Sequence, residues 1–178
     1  MRYMNLRDTE RDALLRSLRD MPAWLQGAIA DLSPGEASER GPGGTFAPVE
    51  QCWHLAELER DAFALRLRRL RDEDRPALED FDGERAAIEA NYLGRSCADG
   101  VAAFAAARRA NLDLIASIRT EEWSRAGTQA GVGEVALCDL PAMMAEHDAS
   151  HRGELEDWLR RRAGGTRASG TPGGGTGR

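Results

Sequence analysis

The sequence predicts an all-α protein, a four-helix bundle with a longer connection between its second and third helices. Three observations carry this. Ala, Leu, Arg and Glu dominate the composition, and these residues lose little conformational freedom in a helix. Apolar residues recur at three- and four-residue steps over four long segments, the period of a helix with one buried stripe. Gly, Pro and Ser gather between those segments, and no alternating pattern competes for strand.

The first helix is expected over about Thr9 to Leu32, with Leu14, Leu15, Leu18, Met21, Leu25 and Ile29 as its buried stripe. Pro22 falls inside it, so a kink or restart is expected there. A turn region, Ser33 to Thr45, follows. The second helix starts near Ala47, with Pro48 where a first-turn proline is tolerated, and runs to Arg71. Segment 76 to 98 is less regular, with a short helix around Glu84 to Tyr92. The third long helix covers about Asp99 to Arg119, its core positions being Val101, Phe104, Ala105, Leu112, Ile115 and Ile118. Residues 120 to 136, broken by Gly127, Gly131 and Gly133, form a loop or a short extended stretch. The fourth helix covers about Leu137 to Arg162. Residues 1–163 thus make one bundle domain. The stretch 164–178, GGTRASGTPGGGTGR, cannot build a core and is expected to be a disordered tail.

A chain of 178 residues suits one ordinary domain. Its net charge of −6 offers no basic excess to neutralise phosphates, so no nucleic-acid partner is expected. Every basic residue is Arg, and the clusters at Arg66, Arg68, Arg69 and Arg71 and at Arg160 to Arg162 are interleaved with acids, as on a solvated helix face. No apolar run is long enough to span a bilayer, and no signal segment opens the chain. A soluble, cytoplasmic protein without a membrane partner is expected. The three cysteines, Cys52, Cys97 and Cys138, form no CxxC pair, which argues against a disulfide framework. Cys52 and Cys138 point away from the neighbouring histidines and read as small buried hydrophobes.

The chain has three histidines, His54, His147 and His151. In a helix His147 and His151 point within about 40° of each other, one turn apart, so two imidazoles can share one metal ion. Leu140, Met143, Met144, Glu154 and Trp158 lie on the same side, which makes it the buried face. Imidazoles buried there need partners. The intervening Asp148, Ala149 and Ser150 lack the glutamate of a zinc-protease HExxH motif. Glu146 and Asp148 fall away from this face and are expected in solvent. His54 is ambiguous: the apolar stripe of its helix, through Val49, Cys52, Ala56, Phe63, Leu67 and Leu70, centres roughly opposite. The helical wheel allows either a ligand or an exposed polar residue.

The stretches VEQCWHLAELERDAF and AEHDASHRGELEDWL resemble the DinB/YfiT-like family of metal-binding four-helix bundles. The likeness runs from about Phe46 to Leu159, with His54 in an HLAxxE context on the second helix and His147 and His151 as HxxxH on the last. The resemblance implies a metal held by three neutral imidazoles with open positions, a set that suits zinc or nickel better than iron. Glu57, one turn beyond His54, and Asp61, two turns beyond, are candidate proton acceptors or orienting groups. Glu154, one turn after His151, is the candidate to steady that ring from behind, and Trp158 could wall the pocket.

The resemblance further implies a thiol-dependent S-transferase that activates a low-molecular-weight thiol of the bacillithiol or mycothiol type for attack on an electrophile. Two alternatives are a metal-dependent hydrolase in which metal-bound hydroxide attacks the substrate, and a non-catalytic metal-binding or stress-response bundle. A homodimer pairing through a helix face is expected.

Overall fold

A computed structural model of the chain describes residues 3–168, and side chains through residue 164. Its first helix, α1 (Asp8–Ile29), buries Leu18, Met21, Leu25 and Ile29, the three- and four-residue spacing of the sequence. Of the kink or restart expected at Pro22, the restart does not occur: α1 runs through it. Proline lacks the N–H that would bond the carbonyl four residues back, here that of Leu18. Arg108 Nη1 takes that carbonyl instead, at 2.8 Å, so the helix continues without a buried orphan acceptor.

Between Ser33 and Thr45 the chain makes a short helix, α2 (Pro34–Ala37), capped by Ser33 and Glu36, and a tight turn with positive φ at Gly43 and Gly44. The second rod is α3 (Pro48–Glu57), a π-helical turn (Leu58–Phe63) and α4 (Ala64–Asp72) in direct succession. Every α3 residue from Pro48 to Ala56 is buried, so this helix is enclosed on all sides rather than amphipathic. A short helix, α5 (Gly83–Glu89), precedes the long α6 (Cys97–Ser117), and the chain closes on α7 (Leu140–Ala168). The last helix extends through residues 164–168, which had been expected in the tail; the remaining tail residues, 169–178, lie outside the described residues.

The four rods are α1, the α3–α4 pair, α6 and α7, with α3 and α1 both packed on α6 and α7. A small sheet, absent from the sequence reading, joins the two longer connections. Strand β1 (Ala77–Leu78) pairs parallel with β2 (Ala126–Gln129), which pairs antiparallel with β3 (Gly133–Ala136). Gly131 and Gly133 supply the positive φ angles of the turn. Among the described residues no helix is long and apolar enough to cross a membrane.

The core divides into three apolar clusters, a small one around Trp53 and Tyr92 where α5 meets α3 and two that run along the bundle. Of these two, one holds Leu18, Ala62, Phe63, Ile115 and Met144; the other holds Met21, Ala56, Phe104 and Leu155. Each rod therefore passes from one cluster to the other within a few turns. In those intervals lie Glu59, Arg108, Asn111 and Asp148, all buried, together with His147 and His151. A polar layer thus crosses the middle of the bundle. Its members correct two expectations. Asp148, expected in solvent, is buried, and the buried stripe of α6 runs through Arg108 and Asn111 rather than Ala105 and Leu112.

The candidate metal centre

The fold brings the three histidines together although His54 is 93 residues from His147. His54 Nε2 stands 3.2 Å from His147 Nε2, and His151 Nε2 stands 3.0 Å from the same atom. One donor atom from each ring lies within 4.8 Å of the others. Three nitrogens bound at about 2.1 Å to one ion stand roughly 3.0 to 3.4 Å apart, from octahedral to tetrahedral geometry. The two short edges match that spacing. Of the two readings the helical wheel left for His54, burial of α3 on every side removes the exposed polar one.

The protonation states suit ligation. His54 is pushed down to about 4, first by burial and then by the nearby His151. His147 is pushed down to about 2 by burial, His151, His54 and Arg108. Both are neutral near pH 7, with lone pairs free to bind. His151 Nδ1 donates to Gln51 Oε1, which leaves its Nε2 as the unprotonated nitrogen facing the cluster. Gln51 Nε2 donates to Glu154 Oε2 at 2.7 Å, and that same oxygen lies 3.4 Å from His151 Nδ1. This hydrogen bonding, led by His151, holds the Glu154 carboxyl well below its usual range, at about 2. Gln51, Glu154 and His151 form one polar unit behind the third donor.

His54 is held differently. Phe46 and Phe81 pack around its ring at 5.3 and 5.9 Å, and its Nδ1 is buried without a hydrogen-bond partner. At the start of α5, Gly83 leaves the space the ring occupies: a Cβ there would stand 2.5 Å from His54 Cε1 and 2.7 Å from Nδ1. Phe63 faces His147 at 6.2 Å. The donors therefore sit between an aromatic wall and the Gln51–Glu154 unit. Neutral nitrogens at this spacing, with at most one proton to share along each edge, fit a divalent cation better than mutual hydrogen bonding.

The two acids expected beside His54 are committed elsewhere. Glu57 accepts from Tyr92 Oη at 2.6 Å and from Arg95 Nη1 at 3.0 Å, tying α3 to the turn before α6. Asp61 is paired with Arg60 at 2.6 Å on an exposed surface. The π-helical turn explains Asp61. One extra residue in that turn rotates everything after it by about 100°, so a carboxylate placed near His54 on an ideal wheel swings away.

The same turn carries Glu59 inward. Arg108 binds Glu59 at 2.8 and 3.0 Å and Asp148 at 2.6 and 2.9 Å, while Asn111 donates to the Glu59 backbone and side chain. Asp148 follows His147 directly, so the network fixes α7 beside that histidine. Burial raises the Asp148 pKa, and the Arg108 guanidinium opposes that rise. Sequence reasoning missed these residues because long-range partners make them buried. Gln51 was within reach, since it lies one turn before His54. Trp158, proposed as a pocket wall, instead donates from its indole N–H to the Glu39 carbonyl at 2.9 Å.

Known proteins place this architecture. Among solved structures, YfiT from Bacillus subtilis, described as a probable metal-dependent hydrolase with an unusual four-helix bundle topology, superimposes with a TM-score of 0.82. The match covers 89% of this chain and 91% of that one at 14% identity, a likeness of fold. No curated protein matches the sequence. The model of the DinB superfamily matches residues 7–155, and the chain belongs to that superfamily.

Proposed function

We propose that the protein is a metal-dependent enzyme, and that its reaction is transfer of a low-molecular-weight thiol to an electrophile. The observation that carries the metal-dependent reading is the convergence of His54, His147 and His151 Nε2 atoms at 3.0 and 3.2 Å. A divalent ion bound there, zinc or nickel, supplies a Lewis acid that keeps a thiol deprotonated near neutral pH. His54 and His147 contribute neutral donors, and Gln51 keeps the His151 proton on Nδ1. Phe46 and Phe81 pack on the His54 ring and Phe63 on the His147 ring, an apolar wall on one side of the donors.

The commitment of nearby acids leaves activation of the nucleophile to the metal, and the family resemblance supports a thiol in that role. Glu57 and Asp61 are held by Tyr92, Arg95 and Arg60, and Glu154 is bound to Gln51. A thiol or a water bound to the metal would lose its proton through the metal's charge, so neither needs one of these acids as proton acceptor. The second reading, a hydrolase, draws on the description of YfiT as a probable metal-dependent hydrolase.

The test is conjugation of a model electrophile by metal-loaded protein with several small thiols, beside ester and amide hydrolysis without thiol. Thiol-dependent turnover lost in His147→Ala supports the transferase. Thiol-independent turnover lost in the same variant selects the hydrolase. Metal-loaded protein inactive in both assays contradicts the enzymatic reading.

A further inference from the structure

Cys97 opens α6 and is half-buried, while Cys52 on α3 is fully buried. Both belong to the same apolar cluster, Cys97 packing against the group that holds Cys52. Cys138 sits in another cluster. The approach of the two helices is unusually close at this point. A Cβ on Gly100, one turn into α6, would stand 2.9 Å from Cys52 Cβ and 3.2 Å from the Trp53 ring. Glycine at position 100 therefore lets the first turn of α6 settle onto Cys52. Cys97 thus packs into the cluster that holds Cys52, and the two thiols are unlinked.

Cys97 also lines a cavity of about 1390 Å³ between α1 and α6, with Ile29, Leu32, Val49, Ala98 and Val101 among its neighbours. One thiol of the pair is thus reachable by a small molecule, and the other is shielded behind it. Interaction with the Cys52 thiol holds the Cys97 thiol below its usual pKa against the opposing effect of burial. Its place at the first residue of a long helix also favours the thiolate.

We propose that Cys97 and Cys52 form an oxidisable dithiol, in which a hydroperoxide entering the α1–α6 cavity oxidises Cys97 and Cys52 closes a disulfide between α6 and α3. The Cys97 thiolate attacks one peroxide oxygen; the O–O bond breaks, and the departing hydroxide or alkoxide takes a proton to leave as water or alcohol. Cys97 is then a sulfenic acid. The Cys52 sulfur attacks the Cys97 sulfur, the S–O bond breaks, and the hydroxide leaves as water with the Cys52 proton. Two thiols have lost two electrons to one hydroperoxide. This site is separate from the three histidines and stands whether or not they bind metal.

The experiment treats the full chain with hydrogen peroxide and follows thiol content after denaturation, intact mass and the cross-linked peptides. Cys52 and Cys97 should disappear together, the mass should fall by two hydrogens, and their two peptides should be joined within one chain. A dithiol reductant should restore both. In Cys52→Ala, Cys97 should accumulate as a sulfenic acid trapped by a dimedone-type reagent. In Cys97→Ser, loss of the Cys52 thiol should slow by roughly tenfold or more. The proposal is overturned if wild-type protein gains oxygen atoms without a cross-link, or if the cross-link involves Cys138 or a second chain. It is equally overturned if Cys97→Ser loses Cys52 as fast as wild type. The wild-type peptide map decides the matter even where a variant fails to fold.

Discussion

Arg108 donates to the Leu18 carbonyl at 2.8 Å, the acceptor that Pro22, four residues on, cannot bond. The same guanidinium holds Glu59 and Asp148. One side chain thus repairs α1, anchors the π-helical turn and fixes α7 beside His147.

Removing it should be severe. Arg108→Met leaves two buried carboxylates without a countercharge and the Leu18 carbonyl without a donor, a loss of about 3–5 kcal/mol. Chemical denaturation reads this directly. Arg108→Lys should lose less, because it keeps the charge, though its three donors cannot reproduce the five hydrogen bonds of the planar guanidinium. Equal stability of Arg108→Met and wild type would contradict the assignment.

The depressed histidines make the metal-free protein acid-sensitive. For His54 the folded-state pKa, about 4, lies below the ordinary 6.5, so the unfolded chain takes up the proton first as pH falls. Its contribution is fully present above about pH 6.5 and is lost progressively as pH drops to about 4, amounting to about 3 kcal/mol. His147 is depressed further and adds to the loss in the same direction. Unfolding of metal-free protein between pH 7 and 4 should show this decline. His54→Phe should flatten it, and an equally steep decline in that variant would count against His54 as a source.

Gln51 should matter to the metal more than to the fold. Gln51→Leu removes the acceptor for His151 Nδ1 and releases the proton to either ring nitrogen, weakening metal affinity by about 10- to 100-fold. Competition with a chromophoric chelator measures it. Unchanged affinity would show that the Nδ1 contact does not set the tautomer.

Gly83 gives a steric counterpart. The Cβ of Gly83→Ala would meet His54 at 2.5 and 2.7 Å, so the ring must move by several tenths of an ångström or more. Metal affinity should fall by roughly tenfold or more. Addition of this methyl with no loss of affinity would mean that the His54 position is not constrained by α5.

What the sequence made legible was local. The stripes of α1 and the HxxxH pair of α7 follow from periodicity alone, because neighbours three and four apart share a face whatever the tertiary setting. His54 did not follow, since α3 is buried all round and its wheel has no exposed side to contrast. Asp61 was misplaced because an ideal wheel assumes constant phase, which the π-helical turn at Leu58–Phe63 breaks. Asp148 was expected in solvent for a different reason: only the crossing of α6 and α7 brings Arg108 to it as a partner. The sheet joins residues 77–78 to 126–129, a pairing that short extended segments do not announce.

The most direct test of the metal centre is elemental analysis of protein made without a histidine tag, repeated on His54→Ala, His147→Ala and His151→Ala. Close to one divalent ion per wild-type chain and a marked loss in each variant are expected, with circular dichroism showing the helices retained. Wild-type protein that stays metal-free after incubation with zinc or nickel, or full metal content in all three variants, would contradict the metal assignment.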